Sequence, residues 1–430
     1  MIARRVLSLG LVASLGGCGE PRAEGVTLRF WGMGREGEVV AELVRGFERE
    51  NPGIRVRVQQ IPWTAAHEKL LTAHVGEVTP DVAQLGNTWV PEFSALGALL
   101  PLDSLVAASG SIDASDYFAG IWKTNLVGDT LFGVPWYVDT RVVFYRTDLL
   151  AAAGYDHFPT SWDEWRDAMK GIRARAGPRQ YPIFLPTNEW PQPVVLALQA
   201  GSGLLDEGGR HGAFSEPPFR RAFDFYTGLF RDSLAPPITS NQISNVYQEF
   251  GAGTFAMLIT GPWNIGEIRR RLPELEGRWA TAPMPGPEGA QSGVSMAGGS
   301  SLVIFRGSAH PEAAWRLVEY LSRPEQQHEF WRLTGDLPAR TAAWDDPALR
   351  GDPIVRAFWE QLQRVEPLPA VPEIELIVTK VFEAGERAVQ GGVPVDRVLA
   401  DLDRDVDRIL EKRRWMLERA EGAVARRGAD

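Results

Sequence analysis

Along the chain, hydrophobic and polar positions switch between two periods. Residues 26–31 (VTLRFW) make a strand-length apolar run, and Val39, Val40, Leu43, Val44 and Phe47 then recur at helical spacing as far as the Asn51-Pro52-Gly53 stop. Ile54, Val56 and Val58 alternate with Arg55 and Arg57 as a second strand. A helix follows Trp63, and residues 80–85 (PDVAQL) read as a third strand. Strands alternating with helices in this way predict an α/β fold with a parallel sheet.

Residues 131–135 and 142–145 read as two further strands, and the stretch Trp136-Tyr137-Val138-Asp139-Thr140-Arg141 between them is a candidate crossing between two domains. Ser161-Trp162-Asp163-Glu164 opens a helix with a capping box. Helices are expected around residues 190–200, 217–230, 247–253, after Pro262 and over 311–321, with strands at 254–259 and 301–305. One long helix with a charged outer face is expected over 395–419. No internal repeat is visible.

At 430 residues the chain has enough length for two cores. Its formal net charge of -10 argues against a nucleic-acid groove, which needs an excess of Lys and Arg. The first residues add more. Arg4 and Arg5 precede an apolar run, residues 6–15, that is too short for a permanent membrane span, and Leu15-Gly16-Gly17-Cys18 follows at once. This reads as a secretory signal over residues 1–17. It resembles a bacterial lipoprotein signal, which implies that Cys18 is lipidated, that residues 18–25 form a tether, and that the protein is membrane-anchored on the periplasmic or other extracytoplasmic face. Acyl chains anchor stably once two of them are present. Cys18 is the only cysteine, so the mature chain is expected to form no disulfide.

Enzyme motifs fail on inspection. Gly32-Met33-Gly34-Arg35-Glu36-Gly37 matches G-x-G-x-x-G after a strand, but Gln59 and Gln60 stand where a dinucleotide site needs an acid. His67-Glu68 lacks the second histidine of a zinc motif, and Gly293-Val294-Ser295-Met296-Ala297 lacks the second glycine of a nucleophile elbow. There is no P-loop. No catalytic residue, cofactor or metal is expected. A glycoside hydrolase remains the enzyme alternative, with Asp139 and Glu189 as its carboxylate pair.

Six blocks carry a family resemblance: FERENPGI (47–54), PDVAQLGNTWVPEF (80–93), GVPWYVDTRVVFY (133–145), YQEFGAGTFAMLITGPWNIG (247–266), AGGSS (297–301) and GDLPAR (335–340). Together they resemble the extracellular solute-binding proteins of sugar ABC importers, the maltose and trehalose-binding branch in particular. The resemblance implies a type II two-lobe periplasmic-binding-protein fold, each lobe a mixed sheet flanked by helices, with the ligand in the interlobe cleft. Lobe 1 is expected over 26–138 plus 298–322, and lobe 2 over 139–297 plus 323–430. It also implies a monomer that captures a disaccharide or short oligosaccharide by hinge closure and delivers it to permease subunits served by a separate ATPase; a binding protein for another solute, such as a polyamine, is the alternative.

The residues agree with a sugar. A pyranose has apolar C–H faces and a polar equator, so its site needs flat aromatics beside carboxylates and amides. Fifteen tryptophans are present, and Trp31, Trp63, Trp89, Trp136, Trp190 and Trp263 sit beside turns, where the rim of a cleft is expected. The resemblance points to Trp263 with Asn264 as the stacking aromatic and its neighbour, Asp139 with Tyr137 and Arg141 near the hinge, and Asn87, Thr88 and Trp89 as a contact loop. Arg35, Glu189, Trp190, Asp336 and Arg340 are further candidate ligand contacts, and Gly298, Gly299 and Ser300 let backbone approach the ligand.

Overall fold

In the computed structural model residues 25–427 are described; Cys18 and the signal lie outside them. The strand Val26–Met33 runs parallel to Ile54–Ile61 on one side and to Val82–Gly86 on the other. Gly298–Ile304 then pairs antiparallel with Val82–Gly86 and with Val134–Asp139, and Leu337–Pro338 closes the edge of this six-stranded sheet. Helices cover both faces, so neighbouring residues of one strand enter different cores. Phe30, Val82 and Leu302 face the core shared with Phe47, whereas Trp31, Ala83 and Val303 face the one shared with Leu70 and Phe93.

A second, four-stranded sheet orders Trp279–Ala282, Val142–Arg146, Phe255–Thr260 and Tyr181–Phe184; only the last pair is parallel. Its core gathers Trp165, Phe219, Phe223 and Tyr226. The predicted capping box is present: Ser161 accepts from the amide of Glu164, whose carboxylate reaches back to the amide of Ser161. The expected single terminal helix is instead two, Val395–Ile409 and Glu411–Arg427. The buried side chain of Leu410 anchors the break between them.

Among the described residues the chain crosses between the two lobes three times. Thr140 and Arg141 join Val134–Asp139 to Val142–Arg146, a crossing shorter than the expected 136–141 because residues 136–139 continue the strand, with 137–139 paired to 298–300. Ala297 joins Ser295–Met296 to Gly298–Ile304. The third passage lies between the 3-10 turn Thr341–Asp345, packed on Pro324–Thr334, and the helix Pro353–Leu362, packed on the second sheet. The first two are stitched together: the Thr140 hydroxyl donates to the carbonyl of Met296 (2.8 Å), and the Ser295 hydroxyl to the carbonyl of Arg141 (2.8 Å). One boundary moves. Residues 323–345 are expected in lobe 2, but Pro324–Thr334 packs on the helix Gly34–Glu50, Leu337–Pro338 belongs to the first sheet and Thr341–Asp345 packs on Pro324–Thr334, so this stretch sits with lobe 1.

Candidate functional site

Where the strands of the first sheet end against the second lobe, a cavity of about 510 Å³ opens beside the crossings. The strand Val134–Asp139 supplies its hinge-side wall by simple alternation. Trp136 turns into the core and packs on Phe330 with ring centroids 4.2 Å apart, so Tyr137 and Asp139 turn the other way, into the cleft. The neighbouring strand must come very close to allow this: a Cβ on Gly298 would sit 2.3 Å from Asp139 Oδ1.

The Tyr137 hydroxyl is the centre of a buried network. It donates to Glu36 Oε1 (2.9 Å) and accepts from Ser300 Oγ (3.0 Å) and Gln84 Nε2 (3.2 Å). Burial, with the Glu36 and Asp336 carboxylates beside it, pushes this phenol well above its ordinary pKa. Asp336 is pushed up to about 8, chiefly by burial and then by Glu36, with Asp139 adding to it and a bond from Thr334 opposing it. Asp139 is held differently, by Arg141 Nη1 at 2.8 Å. The Arg141 guanidinium in turn lies 4.8 Å from the centre of the Trp263 ring.

Indoles form the other walls. Trp63 and Trp89 meet edge to face at 5.8 Å, and Trp63 Nε1 donates to Glu36 Oε1 at 3.3 Å. Behind Trp89, the His67 ring packs at 5.1 Å and is itself fixed by Glu92 at 2.6 Å. Trp190 and Trp263 line the cavity from the second lobe, and Trp263 is 44% exposed. Its indole folds back over Gly261, where a Cβ would lie 2.0 Å from the ring. Asn87 Nδ2 donates to the carbonyl of Ala297 (3.0 Å), and Thr88 Oγ1 donates to Glu375 across the lobes.

The cavity therefore brings together Asn87, Thr88, Trp89, Tyr137, Asp139, Arg141, Trp190, Trp263, Gly298, Gly299, Ser300 and Asp336 from the sequence-based set. Four members lie elsewhere. Arg35 points outward and pairs with Glu38 at 2.9 Å, because residues 35, 38 and 42 share the polar face of their helix; Glu36, in phase with the buried Val40, Leu43 and Phe47, takes the cleft position. Arg340 is locked to Asp116 and to the carbonyls of Ser111 and Ser322 inside lobe 1. Glu189 and Asn264 line a neighbouring cavity, so Glu189 and Asp139 do not face one another across a shared space as a hydrolase pair would. Trp31 and Trp136, expected at the rim, are core residues.

Trp63 lines the cavity, at the rim where it is expected, and Glu36, Met296 and Glu375 join the site without having been singled out. The helical phase of Glu36 was the available signal. Glu375 had none, since its neighbours Ile374, Ile377 and Val378 mark only an ordinary amphipathic helix. Among the lining residues the carboxyl groups of Glu36, Asp139, Asp336 and Glu375 share the cavity with the single cation Arg141. Flat indoles opposite hydrogen-bond acceptors suit a ligand with apolar faces and many hydroxyl donors.

The sequence profile of the bacterial extracellular solute-binding proteins matches residues 33–328. The sugar-binding protein MalE of Xanthomonas citri is 49% identical, and its structure matches with a TM-score of 0.89 over 91% of this chain and 99% of that one. An uncharacterized lipoprotein of Streptomyces antibioticus is 30% identical over 367 residues, covering 81% of this chain and 79% of that protein. The diacetylchitobiose binding protein DasA of Streptomyces coelicolor is 24% identical over 379 residues, covering 85% and 87%.

Proposed function

Because the chain belongs to the bacterial extracellular solute-binding protein family, we propose that it captures a carbohydrate, a disaccharide or short oligosaccharide of the maltose or trehalose kind, and delivers it to the permease of an ABC importer. The observation that carries this is the meeting of Trp63, Trp89, Trp190 and Trp263 with Glu36, Asp139 and Asp336 in one cleft between two lobes. Stacking on ring faces and acceptance from hydroxyls then act on the same ligand. The name of the 49% identical MalE protein supports a sugar, as does that of DasA. Ligand contacts from both lobes stabilise the closed form, and closure about the stitched crossings turns binding into a shape the permease reads. No chemistry on the ligand is needed.

Lipid attachment at Cys18 completes the proposal, supported by the Leu15-Gly16-Gly17-Cys18 pattern and by the lipoprotein name of the Streptomyces antibioticus relative. The test is a thermal-shift screen against maltose, trehalose, sucrose, glucose, maltotriose, putrescine and a dipeptide. A ligand at about 100 times its dissociation constant adds about 2.7 kcal/mol. A sugar that raises the midpoint and is recovered intact is the expected result; a shift with putrescine or the dipeptide alone, or a cleaved sugar, overturns the reading.

A further inference from the structure

The helix Glu411–Arg427 is held to the second lobe through one face. Arg413 Nε donates to the carbonyl of Gly209 (3.0 Å), Arg414 Nη1 donates to the carbonyl of Arg210 (2.9 Å), and Glu421 pairs with the Arg210 side chain. At 3.6 residues per turn, positions 413, 414, 417 and 421 share this inner face, and positions 412, 415, 416 and 419 share the opposite one.

The outer face is basic and aromatic. Lys412, Trp415, Met416 and Arg419 are all exposed, Trp415 and Met416 by more than half, and the Arg419 guanidinium lies 4.5 Å from the centre of the Trp415 ring. Glu411 and Glu418, seven positions apart, run along its flank. Over the whole helix six Lys and Arg stand against three Glu, in a chain whose formal net charge is -10. A basic helix that turns tryptophan outward has the composition of one lying on a membrane surface.

Charge complementarity selects the partner. An anionic surface repels the chain as a whole and attracts this face, and the attraction grows with each Lys or Arg brought within the screening length. Tryptophan favours the headgroup level, where its ring meets apolar chains and its N–H meets acceptors. Two apolar side chains are too few for the buried centre of a protein interface, which takes about 800 Å² a side. The N-terminus brings such a surface close: from a lipidated Cys18, the tether of residues 18–25 reaches at most about 29 Å.

We propose that Lys412, Trp415, Met416 and Arg419 rest on the headgroup layer of an anionic phospholipid bilayer, so that the second lobe makes a reversible membrane contact while the first carries the lipid tether. The inference rests on the reading of Cys18 as a lipid anchor. The contact orients the tethered protein and keeps its second lobe at the membrane that holds the permease.

The test uses the purified protein from Gly19 onward, which keeps every described residue and carries no lipid, sedimented with vesicles of phosphatidylcholine alone or mixed with phosphatidylglycerol. Binding to the mixed vesicles alone is expected, with release in about 0.5 M salt, where the screening length falls to about 4 Å. Trp415→Ser lowers it, and the double variant Lys412→Gln, Arg419→Gln lowers it by about tenfold or more, while melting midpoint and sugar affinity stay close to the parent values. This protein has no cysteine, so its Met416→Cys variant takes a polarity-sensitive dye at that position alone, and the emission should shift to the blue with mixed vesicles. No binding to the mixed vesicles, or binding that both sets of substitutions leave intact, overturns the proposal. A blue shift that grows with protein concentration in the absence of vesicles also overturns it, and makes a second copy of the chain the occupant of this face. Because the tested protein lacks Cys18, none of these results touches the lipid-anchor reading, which fails separately if the intact mass of the protein recovered from cell membranes shows no acyl chains.

Discussion

The hydroxyl of Thr88, on the first lobe, donates to the carboxylate of Glu375, in the first turn of the helix Ile374–Val389 on the second. Both residues line the cleft, so the bond ties its two sides together. A contact of this kind belongs to one arrangement of the lobes and is lost in another, which makes it a term in the opening equilibrium.

Thr88→Val and Glu375→Gln are each expected to weaken sugar binding by about threefold to tenfold, the effect of losing about 1 kcal/mol of closed-state stabilisation. Small-angle scattering of the ligand-free protein should show a larger radius of gyration in both variants. The double variant should lose little more than either single one, because the two changes remove the same bond. Additive losses would mean that each residue acts on the ligand separately.

Trp263 stands between the two cavities with its ring partly exposed and the Arg141 guanidinium over it. Trp263→Ala removes a stacking surface and is expected to weaken sugar binding by about tenfold to a hundredfold, roughly 1.4–2.8 kcal/mol. Trp263→Phe should restore much of that. Titration calorimetry reads both, and an unchanged affinity in the alanine variant would remove the indole from the binding surface.

The fold was legible because its signals are local. Apolar alternation over residues 54–58 and the capping box at Ser161 each follow from a few adjacent residues, and each is where it is expected; the crossing at Thr140-Arg141 falls at the end of the expected stretch 136–141. The site was legible where one strand or loop fixes it, as with Tyr137 beside Asp139 or Asn87 beside Trp89. It failed where helical phase or long-range packing decides. Arg35 and Glu36 are adjacent, yet only the second lies on the buried stripe. Arg340 stands in a motif that reaches toward the cleft, but its guanidinium is captured by Asp116, more than two hundred residues earlier in the chain. Glu375 reaches the cleft through the placement of a whole helix, which no local pattern encodes.

Asp336 links the site to pH. Folded, it keeps its proton up to about pH 8; an ordinary aspartate loses it near 3.8. Between those values the native state binds more protons than the unfolded chain, so this group makes stability fall as pH rises through the window, with no further change above it. Asp336→Asn removes the dependence. Its thermal midpoint relative to the parent is expected to climb from pH 5 to about pH 8 and to level off above it, as read by calorimetric melting from pH 5 to pH 9. A constant difference would show that Asp336 ionises normally in the native protein.

The two arginines left outside the cleft separate stability from binding. Arg340 is largely buried and bonds Asp116 together with two backbone carbonyls, so Arg340→Ala strips three acceptors of their partner at once. The expected cost is about 2–3 kcal/mol of stability, with sugar affinity unchanged wherever the variant is folded. Among the described residues Arg35 makes only an exposed pair with Glu38 one turn along its helix, which water and salt screen so that it adds little to stability. Arg35→Ala should therefore leave both the melting midpoint and the affinity close to the parent values. Loss of binding in Arg35→Ala, with the midpoint intact, would return that side chain to the ligand and imply that the helix Gly34–Glu50 presents its outer face to the cleft when a sugar is bound.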